Sequence, residues 1–351
     1  MSFVRSRNIL LLSICLASWQ LIQPPALFSA SPWEPVGPTG GDVRAIAVDP
    51  VTPSTIYAAL SGPGVYRTTD GTNWRFVSAA LSAAKITNVT SLGVSLTSEL
   101  FAGSDQGLFR SPDGGASWLG GGFAQERILT LALNHGQPET VFVSSGYGSL
   151  FRSSDSGASW AATNVGEVIA VATASGLPDT IYAVTKPMVC PGFCPPGRVL
   201  KTSDGGRTWV YIEGLADVRT LLMDPANPAI AYAGPREGGG VFKTIDGGLH
   251  WTAAGADSLP FAISALAVDS NSVLYAGTTE GGVFESFDGG QRWIGMSDGL
   301  TDLRIRTLVV ADSPRGPTLY AGTQGSGIFR LAGLIAVSRP GNPSRVVAPR
   351  R

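Results

Sequence analysis

Short apolar runs of five to seven residues, separated by polar and glycine-rich breaks, fill most of this 351-residue chain. One set comprises VRAIAVD (43–49), VRTLLMD (218–224) and ISALAVD (263–269). A second set follows in register: TIYAA (55–59), ELFAG (99–103), TVFVS (140–144), TIYAV (180–184), AIAYAG (229–234), VLYAG (273–277) and TLYAG (318–322). The third set lies beyond a glycine-rich turn, as GVYRT (64–68), GLFRS (107–111) and GVFKT (240–244). Runs of this length, rich in β-branched and aromatic residues and bounded by Gly, Pro, Asn and Asp, predict strands. None of the units carries an amphipathic helical pattern.

Tryptophan gives the ruler. It recurs at 33, 74, 118, 160, 209, 251 and 293, in steps of 41, 44, 42, 49, 42 and 42 residues. Four short strands per period of about 43 residues predict the blade of a β-propeller. Seven second strands and seven third strands are present, yet the seventh unit stops at GIFRLAG (327–333) without a Trp. SPWEPVG (31–37) supplies the missing fourth strand from the other end of the chain. The expected fold is therefore all-β: a single seven-bladed propeller of four-stranded antiparallel blades over 31–337, closed by the N-terminal strand. If that strand does not close the ring, LIAVS (334–338) is the remaining candidate.

An acidic turn precedes each later Trp: TTDGTNW (68–74), SPDGGASW (111–118), SSDSGASW (153–160), TSDGGRTW (202–209), TIDGGLHW (244–251) and SFDGGQRW (286–293). Asp accepts hydrogen bonds from nearby backbone N–H groups, and glycine supplies positive φ. The Ser or Thr two residues earlier can cap the same backbone. Asp70, Asp113, Asp155, Asp204, Asp246 and Asp288 are thus expected to be structural, with buried carboxylates. Trp74, Trp118, Trp160, Trp209, Trp251 and Trp293 are expected to pack between blades. The S/T-x-D-x-G-x-x-W pattern resembles the Asp-box, or BNR, repeat of sialidase-type propellers. The run DP…NP…YAG…GVFKTIDGG…W (224–251) resembles photosystem II assembly-factor-like, sortilin-like and xyloglucanase-type BNR proteins. The resemblance spans about 31–333. It implies the propeller fold, and it leaves function open because such families contain enzymes, receptors and assembly factors.

Composition narrows the partners. Charged residues make up 15% and the net charge is −1, which argues against nucleic acid or an acidic membrane surface. Of the 25 basic residues 21 are Arg, the side chain suited to bidentate pairing. Arg5 and Arg7 before the apolar run Ile9 to Ala17 read as an export signal over 1–30, placing the protein in the secreted or periplasmic space. Cleavage after Ala17 or Ala30 fits neither rule cleanly, and a lipoprotein site at Cys15 has a bulky Ile14 before it. The run is shorter than the roughly 20 residues of a span, so no membrane insertion is expected after cleavage. Cys190 and Cys194 then remain, and CPGFC reads as a loop-closing disulfide, neither a redox nor a metal site. The basic tail 338–351 reads as disordered.

Catalytic motifs are sparse. No Ser-His-Asp set, HExxH or phosphate loop is visible, and His135 and His250 read as surface positions. The Arg-Ile-Pro segment of sialidases is missing, and a glycosidase needs two carboxyl groups flanking one bond. A carbohydrate-active enzyme of the glycosidase or sialidase type is the alternative reading. The favoured one is a cofactor-free, monomeric binding or assembly module for a protein or glycan partner. Its location is the face opposite the Asp turns, where Arg44 (GDVRAI), Arg219 (ADVRTL) and Arg306 (LRIRTL) align at the start of the innermost strands. Leu129, Ile169 and Ser264 hold that position in other blades, so the repeat itself does not require Arg. With Arg304 and Arg127 nearby, these residues form a candidate anion-binding cluster. The competing reading is local pairing with Asp42, Asp217 and Asp302. The insertion 185–198 on the same face is either a contact loop or a variable surface loop. The third-strand basic residues Arg67, Arg110, Arg152, Lys201, Lys243 and Arg330 read as repeat consensus with a structural role.

Overall fold

The computed structural model describes residues 32–334 except 63, 84, 85, 87, 147, 188–195, 314 and 315. The export-signal segment, the Cys190 and Cys194 pair and the basic tail lie outside the described residues. Seven four-stranded antiparallel sheets make up the described chain, with one short helix, Ala79–Ala83, between the first two. Each inner strand contacts the inner strand of the next sheet, and the seventh contacts the first, so the sheets are blades of a closed ring. Blade 1 runs outward from Val43–Val48 through Ile56–Leu60 and Gly64–Thr68 to Arg75–Phe76. Blade 7 comprises Ile305–Ala311, Thr318–Thr323 and Ile328–Leu331, and its outer strand is Glu34–Pro35 from the N-terminal end. Glu34 faces Arg330 and Pro35 faces Phe329 in that pairing. Trp33 is buried there, and its indole N–H donates to the Met296 carbonyl at 2.5 Å.

The core lies between blades. Val43, Ile46 and Ile56 of blade 1 pack with Ala311, Tyr320 and Ile328 of blade 7, and the other interfaces repeat this arrangement. A blade is thus covered on both faces, which is why the second strands IYAAL, LFAGS and VFVSS are buried at every position. Their continuous apolar runs, with no alternation, are the sequence trace of that double burial. Each fully buried large side chain, such as Tyr57, Phe101 or Phe142, contributes roughly 1.5–3 kcal/mol. Gly322 is required at the closing interface. A Cβ there would lie 2.6 Å from Val43 Cγ1 of the next blade and 2.7 Å from Thr307 Cγ2 of its own.

The Asp turns join third to outer strands, and they correct one expectation. Asp113 and its counterparts lie at the surface, and the buried member of each turn is the hydroxyl residue two positions earlier. Ser111 is completely buried; its Oγ donates to Asp113 Oδ1 at 2.9 Å and accepts from the Gly115 N–H at 2.7 Å. Asp113 also accepts from the Ser117 N–H at 2.8 Å and the Ser117 hydroxyl at 2.6 Å. In the fifth turn His250 Nδ1 replaces that hydroxyl, 2.7 Å from Asp246 Oδ2. The shortened first turn keeps the pattern, with Asn73 donating to both oxygens of Asp70. Trp118 and Trp160 reach back to the preceding blade, donating to the carbonyls of Val77 and Gly121 at 3.0 Å each.

The third-strand basic residues serve the next blade's turn. Lys201 donates to the Gly247 carbonyl at 2.6 Å, and Arg67 lies against Gly114. Blade 6 alone carries an acid, Glu285, at this position, and the following blade 7 has no Asp turn because its outer strand comes from the N-terminal end. The base is absent where its partner is absent.

Candidate functional site

In every blade the pairing of the inner and second strands slips by one residue at the same place, between Val43 and Ala45 in blade 1 and at the equivalent step in the other six. A β-bulge leaves one residue outside the ladder and redirects its side chain. The residues so displaced are Arg44, Arg219 and Arg306 in blades 1, 5 and 7, and Thr90, Leu129, Ile169 and Ser264 in blades 2, 3, 4 and 6. All seven line a cavity of about 530 Å³ at the mouth of the central channel. It opens on the face opposite the Asp turns, because inner strands begin where the third-to-outer turns do not. The residue after each bulge is Ala, Ser or Thr, which leaves the space open.

Among the described residues four arginines line the mouth, Arg236 being the fourth, and the lining contains no carboxylate. Two of the aligned arginines are clamped from outside. Asp42 accepts from Arg44 at 3.0 Å and from Arg306 at 3.2 Å, tying blade 1 to blade 7, while Arg44 Nε also donates to Ser61 Oγ at 2.9 Å. Arg219 differs. Asp217 adopts φ 53° and its carboxylate goes to Arg236 at 3.2 Å, so the expected pairing of Asp217 with Arg219 is not formed. Among the described residues Arg219 has no carboxylate partner. Burial, and then the neighbouring charges of Arg236 and Arg306, hold its guanidinium below the usual range.

Two of the five candidate arginines stand apart from the cavity. Arg304 folds back on Asp302, with contacts of 2.9 and 3.2 Å, and Arg127 is exposed on the rim before the third inner strand. Arg236 escaped the sequence reading because it lies in the non-repeating loop GPREGGG (234–240), with no equivalent in other blades. His135 and His250 are both exposed, as expected.

No family model matches the chain, and no curated protein does. Solved structures share its fold. YCF48 from Cyanidioschyzon merolae aligns with TM-score 0.64 at 14% identity, over 86% of this chain and 98% of that one. YCF48 bound to D1 peptide gives 0.64 at 16%, over 88% and 97%. The GH74 xyloglucanase from Xanthomonas campestris gives 0.60 at 18%, over 81% of this chain and 51% of that one, so the chain spans about half the enzyme's length. These likenesses define a class by fold alone: a β-propeller.

Proposed function

We propose that this chain is an exported, non-catalytic binding or assembly propeller of the Asp-box type. It recognises an anionic group on a protein or glycan partner through the mouth opposite the Asp turns. The observation that carries this reading is the mouth itself: among the described residues, four arginines line it with no carboxylate in the lining, and Arg219 has no carboxylate partner. A guanidinium held among like charges gains most from a bidentate oxyanion. The cavity's size falls within the roughly 300–1,000 Å³ of ligand sites. Among the described residues its lining offers no pair of carboxyl groups to flank a glycosidic bond. That a YCF48 structure contains a D1 peptide supports the fold as a peptide-binding platform.

The test is capture from the native host's extract by the parent and by the Arg44→Gln/Arg219→Gln/Arg306→Gln variant. A partner retained by the parent at low salt and lost by a folded triple variant supports the reading. Equal retention by both moves the site elsewhere.

A further inference from the structure

On the turn face a recess of about 560 Å³ opens between blade 5 and the Asp turn of blade 6. Asp224, Ile230, Tyr232 and Lys243 of blade 5 line it, with Phe287 and Asp288 of the turn opposite. Its polar groups are those that other blades commit to partners. Lys201, one blade earlier, donates to the Gly247 carbonyl, and Lys186 pairs with Glu167. Among the described residues Lys243 has no hydrogen bond or ion pair; its Nζ lies 5.5 Å from the centre of the Tyr232 ring. Gly289 leaves room for that tip, since a Cβ there would collide with Nζ. In blade 6 the Tyr275 hydroxyl donates to Asp269 at 3.2 Å, whereas the equivalent Tyr232 and Asp224 make no such bond. Among the described residues Arg292 gives Asp288 only its backbone N–H, where Ser117, Ser159, Thr208 and His250 add a side-chain donor to their turns.

We propose that Lys243 is a covalent docking site for a small neutral aldehyde, held as a Schiff base in this recess. Burial holds the Lys243 amine below the ordinary lysine range, against the opposing pull of Asp288 and Asp224, and so enlarges its neutral, nucleophilic fraction. Burial, and then the charge of Asp224, push the Tyr232 phenol up to about 12, so it keeps its proton and can donate to a carbonyl oxygen. Nζ attacks the carbonyl carbon and a carbon–nitrogen bond forms. The carbon–oxygen bond then breaks, and the oxygen leaves as water with the amine's two protons. The imine takes one proton from solvent, and the resulting cation faces Asp224 and Asp288. The same carboxylates repel an anionic aldehyde, while the half-buried Ile230 and exposed Phe287 favour an apolar or aromatic substituent. This site lies on the face away from the mouth and does not depend on the binding reading above.

The experiment incubates the whole protein with benzaldehyde or with glyoxylate at neutral pH, traps imines with cyanoborohydride, and quantifies the adduct on each lysine by peptide mass spectrometry. Lys186 and Lys201 are the internal standards, and urea-unfolded protein gives the labelling that sequence alone allows. In the folded protein Lys243 should take benzaldehyde about tenfold faster than either standard, and the advantage should vanish on unfolding. Measured against Lys186, the preference of Lys243 should be weaker for the anionic glyoxylate. Tyr232→Phe should slow Lys243 severalfold and leave the two standards unchanged, a difference that loss of folding cannot produce. Lys243→Arg should abolish the fast adduct and keep the thermal midpoint. Equal labelling of the three lysines in the folded protein, a stronger preference for glyoxylate, or an unchanged Lys243 rate in Tyr232→Phe overturns the inference.

Discussion

The two faces of this propeller are built from the same seven repeats and treat them in opposite ways. On the Asp-turn face the side chains recur almost unchanged: in each turn the hydroxyl donates to the carboxylate and the carboxylate accepts from the backbone, and the indoles of Trp118 and Trp160 reach the preceding blade. On the mouth face the backbone recurs, as the same bulge in every blade, while the side chain it projects changes from Arg to Thr, Leu, Ile and Ser. Repetition of a side chain marks what every blade needs in order to fold. Variation at a position whose geometry is fixed marks what the ring as a whole can present to a ligand.

The largest effect should come from opening the ring that both faces share. Deleting residues 31–37 removes Trp33 and the outer strand of blade 7, exposing the edge of Ile328–Leu331. The truncated protein should aggregate or lose its single cooperative transition in denaturant. A transition like the parent's would mean that another segment closes blade 7.

Within the turn face, Ser111→Ala should destabilise by about 1–3 kcal/mol, because it strands the buried Gly115 N–H. Asp113→Asn should cost less, since its carboxylate is solvent-facing. Chemical denaturation of the two variants ranks them, and the reverse order would restore the carboxylate as the main anchor.

Acid should act on this face first. Hydrogen bonds from the Ser117 side chain and then its backbone hold Asp113 at about 2, and side-chain and backbone donors depress Asp70, Asp155, Asp204 and Asp246 as well. A carboxyl group depressed in the folded state stabilises it fully above the unfolded value, near 4, and loses that contribution as pH falls toward the folded value. The thermal midpoint should therefore hold from pH 7 to about 5 and fall steeply below about 4. A midpoint flat down to pH 2 would contradict the hydrogen-bond account of the turns.

How far the chain could be read depended on whether a feature was periodic. The tryptophan spacing placed the blades and the closing strand, and repeat alignment put Arg44, Arg219 and Arg306 in one ring. The bulge leaves no trace in the apolar pattern, because the inner strands are half-buried at most positions and do not alternate. Which member of the Ser–Asp pair is buried was likewise illegible: the sequence names both groups and not their depth. Arg304 lies only two residues before Arg306, yet Asp302 turns it outward. Arg236 sits in a loop that no ruler reaches.

The smallest effect concerns the blade that departs from the turn-face rule. Burial, and then the charge of Asp269, raise the Glu285 carboxyl above its usual range. Such an acid favours the folded state when protonated and disfavours it as pH rises. Glu285→Gln should raise the thermal midpoint slightly at pH 7, with the gain vanishing below about pH 4. No gain at pH 7 would mean that Glu285 has a cationic partner.

The division between the faces is tested most directly by measuring thermal midpoint and partner affinity together for two variants. One is Ser111→Ala on the turn face, and the other is Arg44→Gln/Arg219→Gln/Arg306→Gln at the mouth. The first should lower the midpoint and keep the affinity; the second should keep the midpoint and lose most of the affinity, with the salt dependence of binding lost as well. If stability and affinity fall together in both variants, the faces do not divide the work, and the mouth arginines belong to the fold.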